Sequence, residues 1–95
     1  VTDWREKALD MVEYLRGVAF RRKAYRQYRE GWDHDHCAFC GAKFMEAKAD
    51  VPDTLHEVYA ATEAWIHGAD YDWLCDECFQ FLKTRIDLID QTSLN

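Results

Sequence analysis

The chain has 95 residues, 48% of them hydrophobic and 15% aromatic, and its 18 acidic against 12 basic side chains give a formal charge of −6. That composition is too apolar for a disordered chain, and no apolar run approaches the roughly 20 residues that a membrane-spanning helix needs. A chain of this length buries roughly two-thirds of its unfolded surface, so one small domain over residues 1–95 is expected, with a core modest enough to gain from a metal staple.

No signal-peptide pattern opens the sequence, and Val1 reads as a trimmed or processed terminus, so the expectation is a cytoplasmic protein with no membrane association. Asp3 with Glu6 three residues on forms a capping box, and Trp4, Ala8, Leu9, Met11, Val12 and Leu15 recur at helical spacing. An amphipathic helix over 3–16 follows, closed by Gly17 at the left-handed C-cap position. Over residues 18–28, Val18, Phe20 and Ala24 alternate with charged residues or Tyr25, which predicts a half-buried strand.

Residues 36–44, His36-Cys-Ala-Phe-Cys-Gly-Ala-Lys-Phe44, read as a knuckle in which Gly41 permits the positive φ that turns backbone N–H groups toward the sulfurs. Residues 45–53, with Asp50-Val-Pro52-Asp, form a polar connection. Residues 55–65 read two ways: Val58 and Tyr59 suit a strand, whereas the alanine-rich tail from Ala60 suits a helical turn. His67-Gly68-Ala-Asp70 then turns the chain into a strand over 71–74 that delivers Cys75. Phe79, Leu82, Ile86 and Ile89 mark a helix over 76–90.

Chemistry enters with the cysteines, which fall as two Cys-x-x-Cys pairs, Cys37 with Cys40 and Cys75 with Cys78, and leave none over. Each pair can place two thiolates about one tetrahedral ion, and four sulfurs close the coordination sphere, so a single structural Zn2+ is the expected cofactor and no position remains for a reactive water. Two disulfides would be a sparse framework built from strained neighbours, and a thioredoxin-like redox pair would explain one motif and leave its twin idle. The stretch 41–74 between the pairs exceeds common zinc-finger spacing and must hold structure of its own. The second pair sits on a helix's first turn, where Asp76 and Glu77 and the thiolates themselves gain from the helix dipole. A knuckle, a hairpin-containing insert and a helix carrying the last two ligands resemble a treble-clef zinc fold of the α+β class.

Charge is unevenly distributed. Arg16, Arg21, Arg22, Lys23, Arg26 and Arg29 follow one another with no acid between, while the rest of the chain is strongly acidic. With Tyr25 and Tyr28 interleaved, a face including Arg21, Arg22, Lys23 and Arg26 suits phosphates and stacked bases. The favoured alternative is that these cations pair with the protein's own carboxylates, such as Asp33, Asp35, Asp70 and Asp72, because a net-acidic domain repels a polyanion at range. The acidic aromatic stretch Asp70-Tyr-Asp-Trp73 equally suits a basic partner protein, although a Trp beside a metal ligand is more often core. On a strand, His34 and His36 share one face and Asp33 and Asp35 the other. A second metal site there is one reading; the favoured one is that a histidine orients a thiolate or carboxylate around the zinc, which four cysteines already satisfy.

Treble clefs also underlie the His-Asn-His nucleases, which carry a metal-binding His directly after the last Cys-x-x-Cys. Here Phe79 takes that place, the base position offers at best Leu55-His56, and Ala60 replaces the last residue of a His-Glu-x-x-His zinc-protease motif starting at His56. The expectation is a non-enzyme.

The strings Trp32-Asp-His-Asp-His-Cys-Ala-Phe-Cys-Gly-Ala-Lys-Phe44 and Trp73-Leu-Cys-Asp-Glu-Cys-Phe-Gln-Phe-Leu-Lys83, with Tyr14-Leu-Arg-Gly-Val-Ala-Phe20 upstream, are similar to a family of short, uncharacterised bacterial zinc-binding proteins. The likeness spans most of the chain, departs from the family in a longer stretch around residues 60–68, and implies zinc and a bacterial cytoplasm without implying an activity. Together these readings point to a macromolecular interaction module, with a protein partner favoured, nucleic acid second, and a degenerate nuclease-like domain third.

Overall fold

A computed structural model describes residues 3–27 and 30–92 of the chain; the Asp3 side chain of the expected capping box, together with Tyr28 and Arg29 of the basic segment, lies outside what is described. The described elements begin with helix α1 (Asp3–Lys7) and a 3-10 helix (Leu9–Leu15), then strands β1 (Ala19–Ala24), β2 (His34–His36) and β3 (Lys43–Met45). A 3-10 turn (Ala47–Ala49) leads to β4 (Glu57–Ala61), β5 (Trp73–Leu74), helix α2 (Asp76–Arg85) and β6 (Ile89–Asp90). Helices and sheets thus form one small α+β domain. Among the described residues no helix is long and apolar enough to cross a membrane.

Four strands form a sheet in the order β5-β4-β1-β6, and β2 with β3 forms a separate hairpin. Strand β4 runs antiparallel to β1, with Phe20 opposite Ala61 and Arg22 opposite Tyr59, and antiparallel to β5, with Tyr59 opposite Leu74. Residues directly opposite share a sheet face, so Phe20, Tyr59 and Leu74 line one side. Helix α2 covers that side: Phe79 stacks on Tyr59 at 3.9 Å between ring centroids and meets Phe20 edge-on at 5.9 Å. Trp73 and Val58 belong to the opposite face, where Trp73 packs on Tyr25 at 5.1 Å and on Phe44 of the β2–β3 hairpin at 6.4 Å. The two faces of the sheet therefore join both halves of the cysteine set to one core.

Two expectations change, and one open reading is decided. The helix expected over 3–16 is an α-helical turn followed by a 3-10 helix, whose threefold period buries Val12 and Leu15 and leaves Met11 outside. The helix expected over 76–90 stops at Arg85: Asp87 takes a left-handed φ of 58°, and the Leu88 N–H returns to the Lys83 carbonyl at 3.1 Å. That pairing is a Schellman-type end, and it releases the chain into β6, which lies parallel to β1 with Ile89 half exposed. Residues 55–65 resolve as strand β4 followed by turns, with no helix after Ala60.

Candidate metal centre

Cys37 directly follows strand β2, and the chain folds back on itself through hydrogen bonds from Cys37 N–H to the Ala42 carbonyl (2.8 Å) and from Gly41 N–H to the Cys37 carbonyl (3.0 Å). Gly41 holds φ at 80°, a region that costs an L side chain dearly. The loop so formed points the N–H groups of Phe39 and Cys40 at the Cys37 sulfur, at 3.4 and 3.5 Å. Cys75 is the N-cap of α2, and its sulfur accepts the Cys78 N–H at 3.4 Å, where the helix would otherwise leave a donor unpaired. The Ala38 N–H bonds to the Trp73 carbonyl at 2.8 Å and locks the knuckle to the strand that delivers Cys75.

The four sulfurs consequently lie within 4.8 Å of one another, with Cys40 Sγ and Cys75 Sγ 3.7 Å apart, and none is disulfide-bonded. A tetrahedral ion with metal–sulfur bonds of about 2.3 Å requires sulfur separations of about 3.8 Å, so the cluster needs only small inward shifts to hold one. Cys37, Cys75 and Cys78 are buried and Cys40 is exposed, which gives the cluster one route to solvent. The thiols share their protons unevenly. Hydrogen bonds from Cys75 and Cys78 hold Cys37 far below its usual value, while bonding to Cys37 pushes Cys75 up to about 12 and raises Cys78 as well. A metal ion replaces those shared protons with its own charge.

Arg5 completes the surroundings, and nothing in the sequence singles it out. Its guanidinium is held above the usual arginine pKa, first through the Cys78 sulfur it faces and further through the charges of Cys78, Glu77 and Cys75, with burial opposing. Its Nε is buried without a hydrogen-bond partner, and the group lies over the Trp4 ring at 4.9 Å. Trp4 in turn packs on Phe39 of the knuckle at 5.0 Å. Helix α1 thus lies beside the sulfurs and brings them a positive charge. Arg5 also meets Glu77 at 3.5 Å, and only the tertiary fold brings residues 5 and 77 together.

The other residues singled out in the sequence take different places. His34 and His36 stand edge to face on β2 at 5.2 Å, and His34 Nδ1 pairs with Asp33 at 3.0 Å. Among the described residues neither histidine has a hydrogen bond to a cysteine sulfur; backbone N–H groups take that role. The Asp33–His36 stretch does not assemble a second group of metal-ligating atoms, the four cysteines being the one such group among the described residues. His56 Nδ1 donates to the Met45 carbonyl at 3.1 Å.

The basic strand is paired within the protein, though mostly with other acids than Asp33, Asp35 and Asp72. Arg21 meets Glu63 at 4.0 Å, Arg22 meets Glu57 at 2.9 Å, and Lys23 meets Asp70 at 2.9 Å. Asp72 instead accepts from Trp65 Nε1 (2.8 Å) and Asp35 from the Tyr25 hydroxyl (2.7 Å). Comparison of the chain with models of known protein families, with curated proteins and with solved structures finds no match.

Proposed function

We propose that the chain is a structural-zinc protein that works as an interaction module, and that its partner is a protein. The observation that carries the metal is the gathering of four sulfurs within 4.8 Å from a knuckle loop and the first turn of a helix, with N–H groups aimed at them. An all-sulfur tetrahedral set suits zinc. When bound, the ion would cross-link the knuckle to α2 and perform no reaction, because Cys37, Cys40, Cys75 and Cys78 fill its coordination sphere. Four reduced thiols also fit a reducing compartment such as a bacterial cytoplasm.

We read the architecture as treble-clef-like: a knuckle at the tip of the β2–β3 hairpin, the β4–β5 hairpin, and a helix whose first turn carries the last two cysteines. The same reading makes the chain non-enzymatic. Phe79 cannot replace a metal-binding imidazole, and it is wholly buried against Tyr59. The zinc-loaded protein should leave DNA and RNA intact with added magnesium, manganese or zinc, and turnover lost on His56→Ala would contradict the reading.

A protein partner is favoured over nucleic acid by the fate of the basic strand, whose Arg21, Arg22 and Lys23 are matched by the domain's own acids. The test is titration with single-stranded nucleic acid across a range of salt. Negligible binding is expected in the parent and in an Arg21→Gln, Lys23→Gln double variant. Submicromolar binding with a salt slope of several units, falling by about one for each charge removed, would assign the strand to phosphates instead.

A further inference from the structure

A cleft of about 750 Å³ opens on the side of the domain where β2, the end of β1 and the turn before β5 meet. Its lining is mainly aromatic, with two carboxylates, Asp35 and Asp70, and one guanidinium, Arg26, among the described residues. Trp32 and Tyr71, 47% and 62% exposed, stand at its sides, and the buried Trp73 is part of its floor. Large aromatic groups left this open on a small domain call for an explanation.

The cleft is also built in advance of any ligand. Tyr71 stacks on His67 at 5.0 Å, His67 meets Trp65 edge-on at 5.0 Å, and Trp65 Nε1 is fastened to Asp72 at 2.8 Å. The backbone beneath them is pinned by Asp70 N–H to the Ala61 carbonyl (2.8 Å) and Ala61 N–H to the Asp72 carbonyl (3.0 Å). Across the cleft, Trp32 Nε1 and the Tyr25 hydroxyl both donate to Asp35 Oδ2, at 3.2 and 2.7 Å. Lys23 donates to Asp70 Oδ2 at 2.9 Å. In both carboxylates the described hydrogen bonds fall on Oδ2. Rings and carboxylates held in place before binding reduce the ordering cost of association.

Electron-rich ring faces and carboxylates around one cleft select a cation. A guanidinium suits it better than an ammonium, because its plane can lie on a tryptophan or tyrosine ring while its N–H fork meets a carboxylate. A nucleotide base would also stack, but its phosphate would meet Asp35, Asp70 and a molecule of net charge −6, with Arg26 as the cationic side chain among the described residues that line the cleft. We propose that the Trp32–Tyr71 cleft receives an arginine side chain from a basic segment of the partner protein. This rests on the reading of the chain as a protein-interaction module and gives that module its contact chemistry.

The test is a fluorescence titration of the zinc-loaded full chain, its metal content measured on the same sample, with a capped peptide of alternating glycine and arginine. A glycine–glutamate peptide of equal length and adenosine monophosphate serve as the comparisons. Saturable binding of the arginine peptide alone is expected, weakened about tenfold or more by Tyr71→Ala, retained within about twofold by Tyr71→Phe, and weakened by Asp70→Asn. Tyr71 and Asp70 are exposed, so these variants keep the core. Arg26→Gln should leave arginine binding as strong or stronger. The proposal is overturned if the metal-loaded chain fails to bind the arginine peptide, if Tyr71→Ala binds it as the parent does, or if adenosine monophosphate binds in preference and is lost with Arg26→Gln. A metal-loaded chain that captures a protein through another face while ignoring the peptide would sink the cleft and leave the module standing. Arginine binding by a metal-free folded chain would support the cleft and remove the zinc.

Discussion

Arg5 brings a positive charge to a centre that would carry net charge −2 when four thiolates hold one divalent ion. Arg5→Met keeps the apolar stem over Trp4 and removes the charge. It should weaken zinc binding, read by competition with a chelator, by about tenfold, or about 1.4 kcal/mol, in the range of a charged hydrogen bond; Arg5→Lys should restore part of the loss. Equal affinity in parent and Arg5→Met would reduce Arg5 to packing. Thr62 offers the opposite test. It is 2% exposed and its hydroxyl has no hydrogen-bond partner, so Thr62→Val, of nearly equal shape, should stabilise the fold by about 1 kcal/mol in denaturant unfolding. Tyr25 is different again, since burial first, and then its hydrogen bond to Asp35, raise its pKa above the ordinary 10.0. A raised folded value favours the protonated phenol. The stability it brings is complete below pH 10 and is lost as pH rises beyond it, a loss that Tyr25→Phe should abolish in alkaline unfolding curves.

Helix α2 and its N-cap place Cys75 and Cys78 at one end, and the helix meets the sheet at its middle. Phe79 and Leu82 are wholly buried, and Phe79→Ala should cost about 3–5 kcal/mol in chemical unfolding, enough to leave the domain marginal. Its apolar stripe was legible in the sequence because three turns of a helix repeat a recognisable period. Its end was not: the stop depends on Asp87 accepting a left-handed conformation, and Ile89 continues the helical period while belonging to β6. Two-residue strands such as β5 and β6 carry no periodicity, so the parallel β1–β6 pairing could not be foreseen. The N-terminal segment shows a related ambiguity, since spacings of three and four residues fit α and 3-10 helices alike, and Met11 falls on different sides in the two. The cysteine pairs were legible because a Cys-x-x-Cys turn fixes its geometry locally. Arg5 and the Trp32–Tyr71 cleft were not, because each joins residues distant in sequence through tertiary packing alone.

The domain as a whole sets three of its twelve basic residues side by side on β1, with acids around them. Arg21, Arg22 and Lys23 found acids according to strand register: Arg22 lies two positions from Ala24, the residue opposite Glu57, and Lys23 reaches Asp70 in the turn before β5. All three pairs are at least a third exposed on each side, so the Arg21→Gln, Lys23→Gln variant should change stability by about 1 kcal/mol or less. A larger loss would mean that the strand depends on its charges more than solvent screening allows. Both cysteine pairs are joined to the sheet core through Trp73, Phe39 and Phe79, so release of a bound ion should loosen the knuckle, the start of α2 and the α1 helix together. Structural zinc sites contribute on the order of 10 kcal/mol or more to small domains, which exceeds what a core of this size supplies by itself.

The most direct measurement is therefore metal content and folding on one reduced sample. Elemental analysis should give one zinc per chain, and stepwise chelation should release it in the same transition that abolishes the near-ultraviolet signal of the packed tryptophans. Cys40→Ser and Cys78→Ser should each yield a chain that is metal-free and loosely packed. A reduced, metal-free protein with the same cooperative unfolding transition as the loaded one would contradict the account.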